Sequence, residues 1–168
     1  PMWVPLVYAR NIVPVNTSRD TVVTFPGYPG FEIAVPAGTT FKDIDGNPTT
    51  TLALTRTPLD KAHFHHLPPG VTPGALYSLQ FGGTVPSQPV RVTTPNLAGL
   101  PPGTRVALWA YDVTKDGWYS PGQGTVTDDG RQIVPDPTAG ITRLGCWAPA
   151  PAPQAKSPVI GGASGADP

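Results

Sequence analysis

All three histidines of the chain lie in one short segment, KAHFHHLPPG (residues 61–70). On a β-strand, His63 and His65 would point to one face and His66 to the other. Two imidazoles with this spacing hold zinc or copper when a third ligand joins them from elsewhere in the fold. Flanking prolines favour a surface loop, which positions ligands less rigidly than a strand does. His63 and His65 are therefore weak metal candidates. A loop without metal or any other cofactor is the main expectation, and a pH-sensitive contact is the third interpretation.

Nucleophilic catalysis finds little support elsewhere in the chain. A serine nucleophile needs a positioned base and an oxyanion hole, and the sequence contains no G-x-S-x-G turn to present one. Cys146 is the only cysteine and has no partner for an internal disulfide. It lies between Gly145 and Trp147, where a small buried residue is expected. The sequence thus predicts a protein that is not an enzyme.

Two aspartate-rich stretches raise the question of calcium. DIDGN (residues 43–47) and DVTKDG (residues 112–117) are similar to parts of an EF-hand loop. That loop needs Asp-x-Asp-x-Asp-Gly and a glutamate six residues later, and neither stretch has this pattern. Weak calcium binding stays an alternative. Tight turns are favoured, because Asp, Asn and Gly are turn residues.

Aromatic residues form the remaining candidate site. Trp109, Tyr111, Trp118 and Tyr119 fall on two predicted strands that a turn joins. If they are exposed, they would form a platform for a sugar ring or a docking patch for a protein. The competing interpretation is burial in the core. Burial is favoured for Trp109, because its segment RVALWAYD is apolar on both faces, as in a central strand.

Composition and charge exclude several classes of partner. The 168 residues fit one domain, and 11 Lys and Arg balance 11 Asp and Glu. Because the basic residues are scattered, the chain has no basic stripe for nucleic acid. The sequence has no apolar run long enough to insert into a membrane. Few charges, with abundant Thr and Pro, suit a protein that is secreted or exported, with the bacterial cell surface as one location.

The apolar pattern predicts an all-β fold. Apolar and polar positions alternate in segments such as FEIAVPAG, where Phe31, Ile33 and Val35 share one face. Gly, Pro, Asn or Asp interrupts the pattern at intervals of about 8–12 residues, as in sandwiches and barrels. Asp129-Gly130 predicts a hairpin with a type I′ turn. We expect an antiparallel β-sandwich of about seven to nine short strands.

The chain divides into three parts by composition. Residues 1–12 are predicted to be an N-terminal edge strand or extended segment, since prolines interrupt it. Residues 13–147 are predicted to form the β-sandwich domain. Residues 148–168 are predicted to be a disordered Pro/Ala/Gly-rich linker.

Two longer stretches resemble a known family. They are PGFEIAVPAGTTFKDIDGNPTT (residues 29–50) and LPPGTRVALWAYDVTKDGWYSPGQGTVTDDGRQIVPDP (residues 100–137). Together they resemble the β-sandwich domain that precedes the repeat region of bacterial Rhs (YD-repeat) proteins. More distantly, the pattern is similar to the sandwich of ankyrins, netrin receptors and zonula occludens proteins. Some of those relatives cleave themselves at a His-Phe-Ser motif, and this chain has His63-Phe64-His65, without the serine.

The resemblance implies a structural role. In Rhs proteins and the related teneurins, YD repeats form a hollow β shell, and a sandwich-like plug closes one end. The shell can enclose a C-terminal toxin. Such proteins are often proteolytically processed, and we expect this chain to be a piece of a larger polypeptide. The resemblance thus implies a non-enzymatic module that plugs or braces the repeat shell of the same or a processed parent. The alternative is a secreted adhesion or carbohydrate-binding sandwich that binds a glycan through Trp118 and Tyr119.

Overall fold

The computed structural model of the protein describes residues 6–61, 67–80 and 83–151. Within these ranges the regular structure is β-strand, with two short 3₁₀ turns at Ala9–Asn11 and Leu59–Lys61. No helix of the described ranges is long and apolar enough to cross a membrane. The strands are β1 (Ile12–Pro14), β2 (Thr21–Thr24), β3 (Glu32–Val35), β4 (Phe41–Lys42), β5 (Pro48–Thr49), β6 (Thr51–Thr57), β7 (Leu76–Gln80), β8 (Val85–Pro86), β9 (Arg91–Pro95), β10 (Arg105–Asp112), β11 (Gly117–Val126), β12 (Gln132–Pro135) and β13 (Cys146–Pro151).

Ten of these strands form one antiparallel sheet. Its order is β1-β6-β7-β13-β10-β11-β12-β9-β3-β2, and a small second sheet has the order β5-β4-β8. The predicted all-β antiparallel class is confirmed. The ladder is continuous, however, and the strands outnumber the expected seven to nine. A twisted sheet of this length curls, so this one forms a nearly closed barrel.

The predicted alternation places the core inside the curl. Phe31, Ile33 and Val35 are buried, as the period of two required. The Phe31 ring lies 4.8 Å from that of Tyr77 on β7 (centroid to centroid), so distant strands of the ladder meet across the interior. The Phe25 ring packs edge to face with the Phe31 ring at a centroid distance of 5.9 Å. These contacts fix the curvature of the sheet.

The gap between edge strands β1 and β2 is joined by side chains. The Gly27 N–H donates to Oδ1 of buried Asn11 (3.1 Å), which ties the turn before β1 to the segment after β2. The Arg56 N–H on β6 donates to the hydroxyl of Tyr28 (3.0 Å). These two hydrogen bonds connect the two edges of the sheet, where no strand pairing joins β1 to β2.

The predicted hairpin at Asp129-Gly130 is present, but its predicted turn type is wrong. The Gly130 N–H donates to the Thr127 carbonyl (2.8 Å) between β11 and β12. A type I′ turn needs positive φ at both central residues, here Asp128 and Asp129. Neither has it, and only Gly130 does, at 71°. The Asp129 carboxylate accepts from Thr127 Oγ1 and the Arg131 N–H, which holds the turn in this other form.

The predicted boundary at residue 148 is also wrong. Strand β13 continues to Pro151 and lies between β7 and β10. Ala148 and Ala150 are 0% exposed. Prolines 149 and 151 alternate with these alanines, so the backbone N–H groups of the alanines stay available for pairing. The rest of the predicted linker, residues 152–168, lies outside the described residues. At the N-terminal end, edge strand β1 occupies Ile12–Pro14, and residues 1–5 of the predicted edge strand or extended segment lie outside the described residues.

Candidate binding cleft

The predicted aromatic residues occupy the β10–β11 hairpin and separate onto its two faces. Tyr111 pairs with Trp118 and Ala110 pairs with Tyr119. Because neighbouring positions of a strand point to opposite faces, Tyr111 and Trp118 share the outer face. Their rings meet edge to face at 5.5 Å. Tyr119 packs against the core from the inner side. The structure thus brings Tyr111 and Trp118 together and separates them from Tyr119.

Trp109 lies on the outer side of β10, because the core-facing residues of that strand are Val106, Leu108 and Ala110. The expectation that Trp109 belongs to the main core is therefore wrong. Its side chain is only partly exposed, and the indole Nε1 is buried without a hydrogen-bond partner. That buried donor makes Trp109 a poor sugar platform.

The hairpin turn is held by its own aspartates. The Tyr111 hydroxyl donates to Oδ1 of Asp116, and this hydrogen bond raises the pKa of Tyr111 to about 12. Asp112 Oδ1 accepts from both the N–H (2.9 Å) and the hydroxyl (2.6 Å) of Thr114. The Thr114 hydroxyl is the main cause that lowers the pKa of Asp112. Asp112 is therefore an anion at neutral pH.

Beside this turn lies a cleft of about 190 Å³. We call it the hairpin cleft. Strand β10 supplies the carboxylate of this cleft, and the turn after β10 supplies a lysine. Strand β11 supplies two aromatic residues, and the loop before β13 supplies a threonine. Its lining residues are Asp112, Lys115, Gly117, Trp118, Tyr119 and Thr142.

The charges at the hairpin cleft are one anion and two cations. Arg143 Nε lies 3.7 Å from Asp112 Oδ1, and its Nη1 donates to the Gly83 carbonyl (3.0 Å). The positive charge of this guanidinium stabilises the Asp112 carboxylate. Lys115 Nζ is 4.0 Å from Asp112 Oδ2, and its side chain is 82% exposed. Burial raises the pKa of Tyr119, so its hydroxyl stays protonated. The cleft thus combines a carboxylate held by Thr114, an exposed cation and the hydroxyl group of Thr142.

A second surface feature lies at the start of the described chain. Leu6, Tyr8 and Ile12 are 68%, 54% and 39% exposed. Leu6 and Tyr8 precede edge strand β1, and Ile12 is its first residue. The Leu6 carbonyl accepts a hydrogen bond from Thr55 Oγ1 on β6 (3.1 Å). We call these three residues the N-terminal edge. The sequence pattern did not single them out, because short proline-interrupted strands give no clear alternation.

The predicted metal and calcium ligands lie in the following places. His63 and His65 lie outside the described residues, as does His66. Among the residues that are described, no three His, Cys, Asp or Glu side chains are grouped as metal ligands. Asp43 accepts from the N–H groups of Asp45 (3.0 Å) and Asn47 (2.8 Å). The DIDGN stretch therefore uses its first carboxylate to hold its own turn.

Two residues at the hairpin cleft carried no sequence signal. Thr142 and Arg143 come from the loop before β13, about thirty residues after Asp112 in the chain, and only strand pairing brings them close. Comparisons with protein-family models, with curated proteins and with solved structures find no match for this chain.

Proposed function

We propose that this chain is a non-enzymatic β module that docks on the repeat shell of a secreted or exported Rhs-type protein. It would plug or brace the shell that encloses a toxin, in the same or a processed parent polypeptide. The observation that carries this proposal is the N-terminal edge, where three large apolar side chains within seven residues of the chain are exposed at edge strand β1. Contiguous exposed apolar surface is typical of protein contacts.

The strand geometry at this edge also suits docking on a β surface. β1 pairs with β6 over only three residues, Ile12 to Pro14. Pro14 has no N–H to offer, so further ladder growth at β1 is limited and side-chain packing must dominate the contact. Apolar contacts around an edge strand would cover the rim of a shell, whose own strands end with unpaired groups.

The sandwich architecture implied by the resemblance belongs to the same proposal. Phe31 and Tyr77 come from strands far apart in the ladder and face each other across the core. Opposed regions of the curled sheet therefore pack as the two sheets of a sandwich do. A low charge content, 13% of residues, also favours burial against a large partner.

Site-specific photo-crosslinking in the source cell tests the proposal. A benzoylphenylalanine would replace Tyr8, and crosslinked peptides would be identified by mass spectrometry after native purification. We expect crosslinks to peptides that contain Y-D-x-x-G repeats. The matched control is the same probe at Val134, which is exposed to a similar degree as Ile12 (42% against 39%) but lies on β12.

Crosslinks from Tyr8 only to chains without such repeats would refute the shell contact, and so would equal repeat crosslinking from Val134. An Ile12→Lys variant gives a second test, in which retention of the repeat chain is measured. A charge placed in an apolar contact weakens that contact. We expect Ile12→Lys to release the repeat chain, while Val134→Lys retains it.

A further inference from the structure

We propose that the hairpin cleft binds a single pyranose ring at the end of a glycan. The ring would stack on Trp118 while its hydroxyl groups bond to Asp112 and Thr142. This inference is independent of shell docking, because the hairpin cleft and the N-terminal edge share no residue.

The aromatic wall of the cleft is held in place. Trp118 is half-buried, and its ring packs edge to face with that of Tyr111 at a centroid distance of 5.5 Å. Tyr111 is itself fixed through its hydroxyl bond to Asp116. A fixed, partly exposed indole offers a flat apolar surface to the C–H face of a sugar without first losing rotamer entropy.

The carboxylate of Asp112 has one oxygen available for a ligand. Its Oδ1 accepts both bonds from Thr114, whereas Oδ2 accepts no hydrogen bond from the described residues. A carboxylate oxygen that can accept two hydrogen bonds suits neighbouring hydroxyl groups of a sugar. Arg143 and Lys115 lie 3.7 and 4.0 Å from this carboxylate and keep it charged.

The hydroxyl group of Thr142 completes the set of donors and acceptors. Thr142 is exposed and lines the cleft, whereas the hydroxyl oxygen of Tyr119 is buried, so Tyr119 contributes to the wall of the cleft only. A hydroxyl both donates and accepts, as does each hydroxyl of a sugar, so the pairing needs no ionised ligand.

The size of the cleft restricts the ligand to one ring. Drug-sized ligands occupy pockets of about 300–1,000 Å³, and the hairpin cleft holds about 190 Å³. It lies at the end of the β10–β11 hairpin, open to solvent on the Lys115 side. The remainder of a glycan would extend outward past that lysine.

Saturation-transfer NMR with the methyl glycosides of glucose, galactose, mannose and N-acetylglucosamine tests this proposal. We expect at least one of them to bind the whole chain in the millimolar range. Trp118→Ala should weaken that binding by at least about tenfold, since loss of an anchoring aromatic side chain removes most of the contact. Trp118→Phe should restore part of it. Asp112→Asn should weaken it through loss of the charged acceptor.

Tyr8→Ala is the matched control, because it removes an exposed aromatic side chain outside the cleft. It should leave sugar binding unchanged while it weakens shell docking, so failure of either proposal can be recognised separately. Lys115→Ala is a second variant for the case in which Trp118→Ala fails to fold. The Lys115 side chain is 82% exposed, so its removal should leave the fold intact. Lys115→Ala should also weaken sugar binding. The proposal is overturned if none of the four glycosides binds, or if the bound glycoside is held equally well by the folded Trp118 and Lys115 variants.

Discussion

Asn11 and Gly27 are sixteen residues apart in the chain, and the hydrogen bond between them is one of two that join the ends of the ten-stranded sheet. Oδ1 of Asn11 accepts from the Gly27 N–H at 3.1 Å. A Cβ atom built on Gly27 would lie 2.4 Å from the same oxygen. A side chain at residue 27 would therefore displace the Asn11 side chain and break this hydrogen bond.

Gly27→Ala should destabilise the fold by about 1–3 kcal/mol, because the displaced Asn11 side chain would leave a buried polar group unpaired. Urea unfolding followed by fluorescence measures this. Gly117→Ala is the matched control, since its added Cβ would meet no atom closer than 3.7 Å. We expect that control to stay within about 0.5 kcal/mol of the parent. Equal stability of the two variants would refute the closure role of Gly27.

Chains ending at Pro151 and at Trp147 should differ strongly in stability. Ending at Trp147 removes four of the five positions at which β13 pairs with β10. Each lost hydrogen bond costs about 1 kcal/mol, and exposure of the core adds to this, so we expect a difference of at least about 3 kcal/mol. Thermal melting of both chains gives the result. Similar melting temperatures would show that residues 148–151 are a linker after all.

The ion pair between Arg105 and Asp136 should make stability depend on pH. Arg105 donates to both carboxylate oxygens, at 2.7 and 2.6 Å, and this lowers the pKa of Asp136 below its ordinary 3.8. The stabilisation is therefore present above pH 3.8 and is lost as the pH falls through the folded-state pKa. Asp136→Asn should lower stability at pH 7, and the difference from the parent should vanish in acid.

Denaturation curves from pH 2 to pH 7 measure this dependence. Asp128→Asn, in the exposed turn between β11 and β12, is the control and should show no such trend. A difference between parent and Asp136→Asn that stays constant over the whole range would contradict the ion-pair explanation.

Cys146 should react slowly with thiol reagents in the folded protein. Burial raises the pKa of its thiol, so little thiolate forms at neutral pH. The Ser78 hydroxyl lies 3.9 Å from the sulfur. Labelling with a chromogenic disulfide at pH 8 should be slow until urea is added. Val134→Cys, made in a Cys146→Ala background, places a thiol at an exposed site and should react at once. Equal rates for the two thiols would contradict this account.

Local chemistry determined much of this fold in advance. The alternation at Phe31, Ile33 and Val35 identified strands and their buried face, because the period of side chains on a strand is a local property. The turns at Asp43 and Asp112 followed from short side chains that bond to the backbone two residues on. Even the hairpin at Gly130 could be predicted, although its turn type could not.

Long-range pairing decided the rest. No local pattern places β13 between β7 and β10, so the Pro/Ala sequence of Ala148 and Ala150 looked like a linker until that pairing buried it. The same pairing carries Thr142 and Arg143 to Asp112 and so creates the hairpin cleft. The sequence by itself determined which residues form strands and turns. Only the tertiary structure decided which strands are neighbours, because that choice depends on how all the apolar faces can be buried together.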